Sequence, residues 1–575
     1  MIGAAAGTAA AVALIARYVP LGVPGECVVS YIRLNTPAVL VGPLIPALAL
    51  VLVTWWGVSR GEHALERCVA LAGLVIAGSY FAFHLGMAGP VGLGEPISRT
   101  LSPKGLGTYL VEAQHIGPYR PGHVQVPKDG AAAPDPLSYL RHFDERVAAR
   151  RLDANTVRLA VNPPGATLVV WAVDWACRSG SRRRAGGALI LRRSGWPRAA
   201  DLFPRRPAPS GEELAGVVLL GLGSLTVALT ALAIYALGFD LSGSRRTAFG
   251  AAALWLTVPS VLLHMPALEQ LTPFLALLLA LCWYRACARR SVTYAVLTGL
   301  VAWIGLFFTL EFAAVIVLLA LVTLLWAAVH RGPWRHWWLG ATAVAAALAV
   351  TIAAWLAFDY DTVFVLYQCA RRTAEWNATL GARSYGAWLQ WNPVMFALFF
   401  GAGATVLWLA GIGAAIRQAL TSRRPPQPEP SAATGDGPRS SRRAPHPAMR
   451  WIPATAVAVT MLAVWLTGLE RGEVERRWSL WMALAFVAGA VALSHPAHKP
   501  GSQKRPLSAA AWMALLLLQL ALVFALRYRV DVQDAIADAP KHLPALKAKA
   551  PQPRHSHAGG RQPGRRCVVL REIDA

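Results

Sequence analysis

The chain has 575 residues, 55% of them hydrophobic and 15% charged, with a mean hydropathy of +0.43. Soluble domains carry about a quarter charged residues, so this composition excludes an ordinary soluble enzyme, and it is too oily for a disordered chain. Lys and Arg total 55 against 30 Asp and Glu, a net charge of +25, and the 7 cysteines lack CxxC or metal-type spacing, so they indicate neither a disulfide framework nor a zinc site.

Long uncharged apolar runs alternate with short basic ones. A helix needs roughly 20 apolar residues to cross a bilayer. The runs predict spans over 2–19, 37–57, 67–88, 163–177, 214–237, 247–265, 270–287, 293–310, 312–330, 337–357, 394–416, 451–468, 478–494 and 508–526. Unpaired backbone amides are not tolerated in lipid, and runs without alternation are helices rather than barrel strands. The expected fold is all-α, a polytopic transmembrane helical bundle of about 13–14 spans with a large extracytoplasmic loop after the third. The first helix lacks a basic n-region and is read as retained.

Loops rich in Arg and Lys face the cytoplasm. That rule places 178–206, Arg245–Arg246, Arg285–Arg290, Arg331–Arg335, 417–450 and 495–505 inside, and 20–36, 89–162, 259–269, 358–393 and 469–477 outside. One conflict follows, because 214–237 joins two basic loops. Either that span re-enters or the short 163–177 run, which opens on a double proline, does not fully cross; crossings then number 13 to 15. The positive charge marks cytoplasmic loops and tails, so no nucleic-acid partner is expected. The chain divides into a transmembrane module (1–416) holding the loop 89–162, a Pro/Arg-rich cytoplasmic linker (417–450), C-terminal helices (451–526) and a basic, disordered tail (527–575). Its expected location is the plasma membrane.

The loop 89–162 exceeds the length of a plain connector, and such loops are functional or disordered. Tyr109, Glu112 and His115, then Tyr139, His142, Phe143 and Glu145, stand at helical spacing. They suggest amphipathic helices on the membrane surface. The loop runs into Asn162-Pro163-Pro164-Gly165, which opens the next run, and proline is tolerated at a helix start.

An acidic residue after an aromatic in the first large external loop, followed by a [His/Asn]-Pro-Pro-Gly span entry, resembles the GT-C superfamily of membrane glycosyltransferases. The nearest branch is the protein-mannosyltransferase-like and core-lipopolysaccharide galacturonosyltransferase-like group. Ala-Leu-Trp-Leu-Thr-Val-Pro (253–259) followed by Glu269, Ser-Tyr-Gly-Ala-Trp-Leu-Gln-Trp-Asn-Pro (384–393) and Glu-Arg-Gly-Glu-Val-Glu-Arg-Arg-Trp (470–478) resemble later external segments of bacterial members. The resemblance covers roughly residues 1–526. This chain departs from it in having Asn162 where the common member has His, which removes any proton transfer by that residue.

The resemblance implies sugar transfer from a polyprenyl-phosphate donor to a lipid, glycan or protein acceptor on the outer face. A carboxylate must reach the acceptor hydroxyl as general base. Glu112 fills that role, with Glu26 as rival and Glu269, beside His264, as a second carboxylate. Two carboxylates and a His on one face could hold a divalent cation such as Mg²⁺ or Mn²⁺. Arginines stabilise the leaving phosphate; the external candidates are Arg476, Arg141 and Arg383, with Arg371 and Arg372 behind them. Asn162, Tyr109, His115, Trp388 and Asn392 would contact substrate. Each has a plainer reading: an exposed helix carboxylate for Glu112, a charge-paired loop for Arg476, an interface histidine for His264, a membrane-belt aromatic for Trp388. The rival classes are a transporter or flippase for a lipid-linked glycan, a glycan polymerase or ligase, and a non-catalytic scaffold. P-loop, GxSxG and HExxH signatures are absent.

Overall fold

The computed structural model describes residues 2–16, 21–23, 27–31, 41–60, 63–87, 107–114, 116, 135–149, 157–178, 211–265, 267–330, 334–379, 384–421, 448–467, 477–494 and 507–531. In chain order the elements are α1 (Ile2–Ala16), strands β1 (Leu21–Val23) and β2 (Cys27–Tyr31), α2 (Val41–Ser59) and α3 (Ala64–Met87). Four short helices follow, α4 (Gly107–Gln114), α5 (Pro136–Arg141), α6 (Phe143–Ala149) and α7 (Val157–Val161), then α8 (Gly165–Arg178) and α9 (Gly211–Ser242). Next come α10 (Arg245–Trp255), α11 (Pro259–Leu263), a 3₁₀ turn (Leu268–Gln270), α12 (Leu271–Arg289), α13 (Val292–Phe308), α14 (Phe312–His330) and α15 (Trp334–Phe358). The last are α16 (Thr362–Thr379), α17 (Tyr385–Phe400), α18 (Ala402–Thr421), α19 (Ala448–Thr467), α20 (Ser479–Leu493), α21 (Ala509–Arg529) and β3 (Val530–Asp531).

The protein is a polytopic helical membrane protein. Seven of the described helical segments are long and apolar enough to cross a bilayer, and six shorter apolar helices pack among them. Helices in lipid gain little from burying apolar surface against one another, so close approach and polar ties hold the bundle. Gly411 of α18 lies against the backbone of Gly489 in α20 with no room for a side chain on either. Trp255 donates from Nε1 to the carbonyl of Val227, 3.3 Å away, tying α10 to α9.

The bundle has two distinct ends. At the lower end Asp240 of α9 pairs with Arg285 of α12 at 2.8 Å, and Arg246 donates to the Val58 carbonyl at 3.1 Å. At the upper end Arg527 of α21 donates to the Gly86 carbonyl, and Tyr385 and the Leu389 carbonyl meet the end of α19 through Leu466 and Trp465. The described parts of 259–269, 358–393 and 89–162 gather at the upper end.

Three expectations are corrected. The predicted span 394–416 is two helices, α17 and α18, meeting at 113°. The break falls at Gly401, whose φ of +93° suits glycine alone. Buried Gln519 bridges it, donating from Nε2 to the Phe400 carbonyl and accepting from the Ala404 amide, each at 3.1 Å. Helix α17 therefore does not continue the line of α18, and the break between them lies against the middle of α21.

The second correction concerns 163–177. Gly165 abuts Phe307 at the upper end of α13, and Leu219 of α9 shares a cluster with Val170 of α8 and Tyr109 of α4. From there α9 runs down to Asp240, so the chain enters α9 from the upper end and 163–177 is not a full crossing. The basic connection 178–206, expected at the lower end, lies beyond Arg178 outside the described residues, but the helix that follows it starts at the upper end. At 32 residues α9 is about 48 Å long, against roughly 30 Å of hydrocarbon, so its first turns stand clear of the lipid.

The third is a small antiparallel sheet where only loops were expected. β1 pairs with β2 (Leu21↔Val29, Val23↔Cys27) and β2 with β3 (Ser30↔Asp531, Tyr31↔Val530). The β-branched run Val28-Val29 favours extended backbone. β3 directly follows α21, so the sheet stands at the upper end of the bundle.

Candidate functional site

The loop after α3 is built from small helices whose sequence reasons are local. Asp135 caps α5, its Oδ1 accepting from the amides of Leu137 at 3.1 Å and Ser138 at 3.0 Å, with Pro136 in the first turn. Tyr139, Phe143 and Val147 recur every fourth residue and bury one stripe against Ile116, Tyr360, Val365 and Cys369. Tyr109, Leu110 and Ala113 of α4 bury a second stripe against Leu159, Ala166, Val170 and Leu219. Together these clusters roof the upper end of the bundle.

Between the two stripes stands Glu112. Its side chain is 14% exposed and faces the Arg146 guanidinium (16% exposed) at 3.8 Å. Arg146 also lies over the Tyr139 ring, 5.1 Å from its centre. Two ionised groups this far from water are expensive unless they compensate each other, and the pair is thus a fixed feature of the roof. The plainer reading of Glu112 as an exposed helix carboxylate does not hold.

Asn162 binds the same helix. Its Nδ2 donates to the Arg158 carbonyl at 3.0 Å and makes a long contact of 3.4 Å with the Tyr109 hydroxyl. The Pro-Pro-Gly that follows has a steric reason. A Cβ on Gly165 would sit 2.6 Å from the Phe307 carbonyl oxygen, so glycine lets α8 start directly against the end of α13. Asn162 is thereby brought, from 53 positions along the chain, against the helix that carries Tyr109 and Glu112.

The other predicted residues lie around this centre. Glu269 occupies the 3₁₀ turn, where its carbonyl accepts from Thr272 Oγ1 at 2.6 Å; its neighbour Leu268 packs on the Tyr109 cluster. His264 leans on the Phe399 ring at 6.2 Å. Among the described residues no three His, Cys, Asp or Glu side chains converge on a point that could hold a metal ion, so the cation cage expected from two carboxylates and His264 does not form there. Trp388 and Asn392 are each 2% exposed on the inward face of α17, which corrects the reading of Trp388 as a belt residue.

Arg141 meets Asp359 at 3.8 Å with both side chains more than half exposed, an arrangement that contributes little to stability. Asp359 adopts a φ of +55°, where a short polar side chain is better tolerated than a bulky one. Arg372 and Arg371 both hold Glu375, at 2.7 and 3.0 Å, and their hydrogen bonds, that of Arg372 first, keep its carboxyl below the ordinary carboxylate range. Burial pushes the Tyr360 phenol well above its ordinary value, so it remains a neutral hydroxyl. Glu26, His115, Arg383 and Arg476 lie outside the described residues.

Two features escape the sequence reading. Arg146 is the partner of Glu112, 34 positions on, and only its place beside the Tyr139–Phe143–Val147 stripe hints at an inward orientation. Arg477, two residues before α20, pairs with Glu311 at 3.7 Å. Glu311 sits in the α13–α14 turn, four residues past the Phe307 that contacts Gly165, and its isolation between two apolar spans is the signal that could have found it.

No protein-family model, curated protein or solved structure matches the chain. The fold and the site define a multi-pass helical membrane protein with a polar, partly buried centre at one end.

Proposed function

We propose that this protein is an integral-membrane glycosyltransferase of the GT-C type. It would move a sugar from a polyprenyl-phosphate donor to a lipid, glycan or protein acceptor at the upper, extracytoplasmic end. The observation that carries the reading is the sheltered Glu112–Arg146 pair beside Asn162, Tyr109 and the Pro-Pro-Gly entry. The resemblance to GT-C enzymes places a catalytic carboxylate in this same loop.

The chemistry needs a base and a cation at one place. Glu112 accepts the acceptor hydroxyl proton as the new bond to the anomeric carbon forms. The bond from that carbon to the donor phosphate oxygen breaks, and the phosphate leaves with the electron pair. Arg146 is the nearest described guanidinium for that charge, and Arg141 lies on the next short helix. Asn162 cannot shuttle a proton, so it orients Tyr109 and the substrate. Apolar residues of α15 and α16 face outward immediately beside Arg141–Asp359, among them Trp355, Leu356, Val363 and Phe364. They offer a lipid-linked substrate a track that begins at the site.

The helix break at Gly401 resembles the broken helices of transporters, which leave backbone groups open for cargo. Here Gln519 occupies both flanking backbone groups, and the transferase reading is preferred. The test is transfer of radiolabelled sugar from polyprenyl-phosphate donors by the purified protein. Glu112→Gln keeps the shape and removes the base, so turnover should fall at least 100-fold with the helical content unchanged. Full turnover in that variant removes Glu112 from the mechanism.

A further inference from the structure

A cavity of about 730 Å³ opens among α12, α13, α14, α15 and α19. Its size is within the roughly 300–1,000 Å³ of small-molecule sites. Along α15 it is lined from Trp337 to Thr351, about 21 Å of helix and two thirds of the hydrocarbon thickness. No charged side chain lines it, and nearly all of its wall is aliphatic or aromatic. Such a shape suits one extended hydrocarbon chain.

The two rims differ in charge. At the upper rim the polar atoms are neutral, the Thr362 hydroxyl and the Trp303 indole, and the next charged residue along α16 is the carboxylate of Asp361. A phosphate seated there would meet no cation of the lining and one carboxylate nearby. At the lower rim the lining residues Trp283, Tyr284 and Cys287 lead directly to Arg285 and Arg289. Both guanidiniums lie against the Tyr294 ring, at 5.9 and 5.6 Å, and that ring packs with Trp283 and Leu339 to floor this mouth. Asp240 neutralises Arg285 at 2.8 Å. Arg289 and Arg290 are exposed and pair with no described carboxylate.

We propose that an anionic glycerophospholipid of the lower leaflet binds here, with one acyl chain in the cavity and its phosphate on Arg289 and Arg290. Aromatic residues at this depth, Trp283, Tyr284 and exposed Trp337, suit the glycerol level. The arginines then do more than orient the chain in the membrane. They select headgroup charge at a built apolar slot, at the end of the bundle away from the transferase centre. The inference is independent of that centre.

The test places the full chain in phosphatidylcholine bilayers containing spin-labelled phosphatidylglycerol or spin-labelled phosphatidylcholine. The measurement is the motionally restricted fraction of each label. Phosphatidylglycerol should be preferred several-fold, with about a five-fold loss per arginine removed in Arg289→Ala and Arg290→Ala and a weaker preference at high salt. Gly340→Leu fills the slot, since a Cβ there meets only the Trp283 ring at 3.9 Å. It should lower the restricted fraction of either label while leaving helical content intact. Equal restriction of the two headgroups, or a preference unchanged in the double arginine variant, overturns the proposal. So does mass-spectrometric recovery of a polyprenyl phosphate from the slot in place of a phospholipid. Sugar transfer is not read in any arm, so loss of the proposed activity and loss of this site are distinguishable.

Discussion

Gln519 shows what one side chain does in this protein. It is fully buried in a helix that otherwise reads as a plain apolar span, and it satisfies a carbonyl and an amide exposed by the break at Gly401. Leaving a buried backbone group unpaired costs about 1–3 kcal/mol. Gln519→Leu strands both, so it should lower the unfolding temperature in detergent markedly, whereas Gln519→Glu, whose carboxyl can both donate and accept only when protonated, should lose less in acid than at neutral pH. A melting curve unchanged in the Leu variant refutes the capping role. Glu375 gives a pH-dependent counterpart. Its carboxyl is held below the ordinary range by Arg372 and Arg371, so its contribution is present above the ordinary carboxylate value and lost as the pH falls through the lower folded one. Glu375→Gln should flatten that acid limb of the thermal-stability profile by lowering the neutral value toward the acid one, by a small amount because Glu375 is partly open to solvent. Asn162→Ala removes the tie between α4 and the Pro-Pro-Gly entry; we expect a raised KM with a smaller effect on kcat, measured in the same transfer assay.

At the scale of elements, composition and run length make the transmembrane helices legible, because lipid forces every apolar run of that length into a helix. The charge rule also groups loops whose described parts gather at one end. What the runs hide is continuity. Residues 394–416 have the hydropathy of one span, yet the backbone turns at Gly401, and only a partner 118 positions later supplies the missing hydrogen bonds. Hydropathy likewise cannot distinguish α8, which begins against the end of another helix, from a true crossing. Of the candidate site, Glu112, Tyr109 and Asn162 could be named from local spacing and resemblance. Arg146 and the Glu311–Arg477 pair could not, since their partners come from distant segments. Gly165→Ala tests the contact that assembles the centre. Its Cβ would overlap the Phe307 carbonyl, so α8 must move, at a cost of about 1–3 kcal/mol. Sugar transfer should drop with it even though the substituted residue carries no functional group. Transfer at the unaltered level would show that the centre tolerates displacement of α8.

Taken as a whole, the molecule is polarised along its axis. The Glu112–Arg146 pair and the small amphipathic helices occupy the upper end, and the exposed Arg289 and Arg290 stand at the lower. That polarity makes the topology testable without any assumption about activity. Cysteines placed at Asp361 and Ser138 should react with an impermeant reagent from one side of the membrane, and those at Gly243 and Arg290 only from the other. A shared side for the two sets would break the division into ends on which the proposed chemistry rests.

The sheet at that end joins residues 21–31 to residues 530–531, nearly the full length of the polypeptide apart. Synthesis proceeds from the amino terminus, so β2 must wait for almost every other helix to be inserted before its outer strand exists. Until then its edge stays open, and α1, short and rich in alanine and glycine, lacks the packing of α21 beside it. Completion of the sheet therefore requires residues 530–531, which follow the last helix, so a chain stopped before residue 530 would lack its third strand.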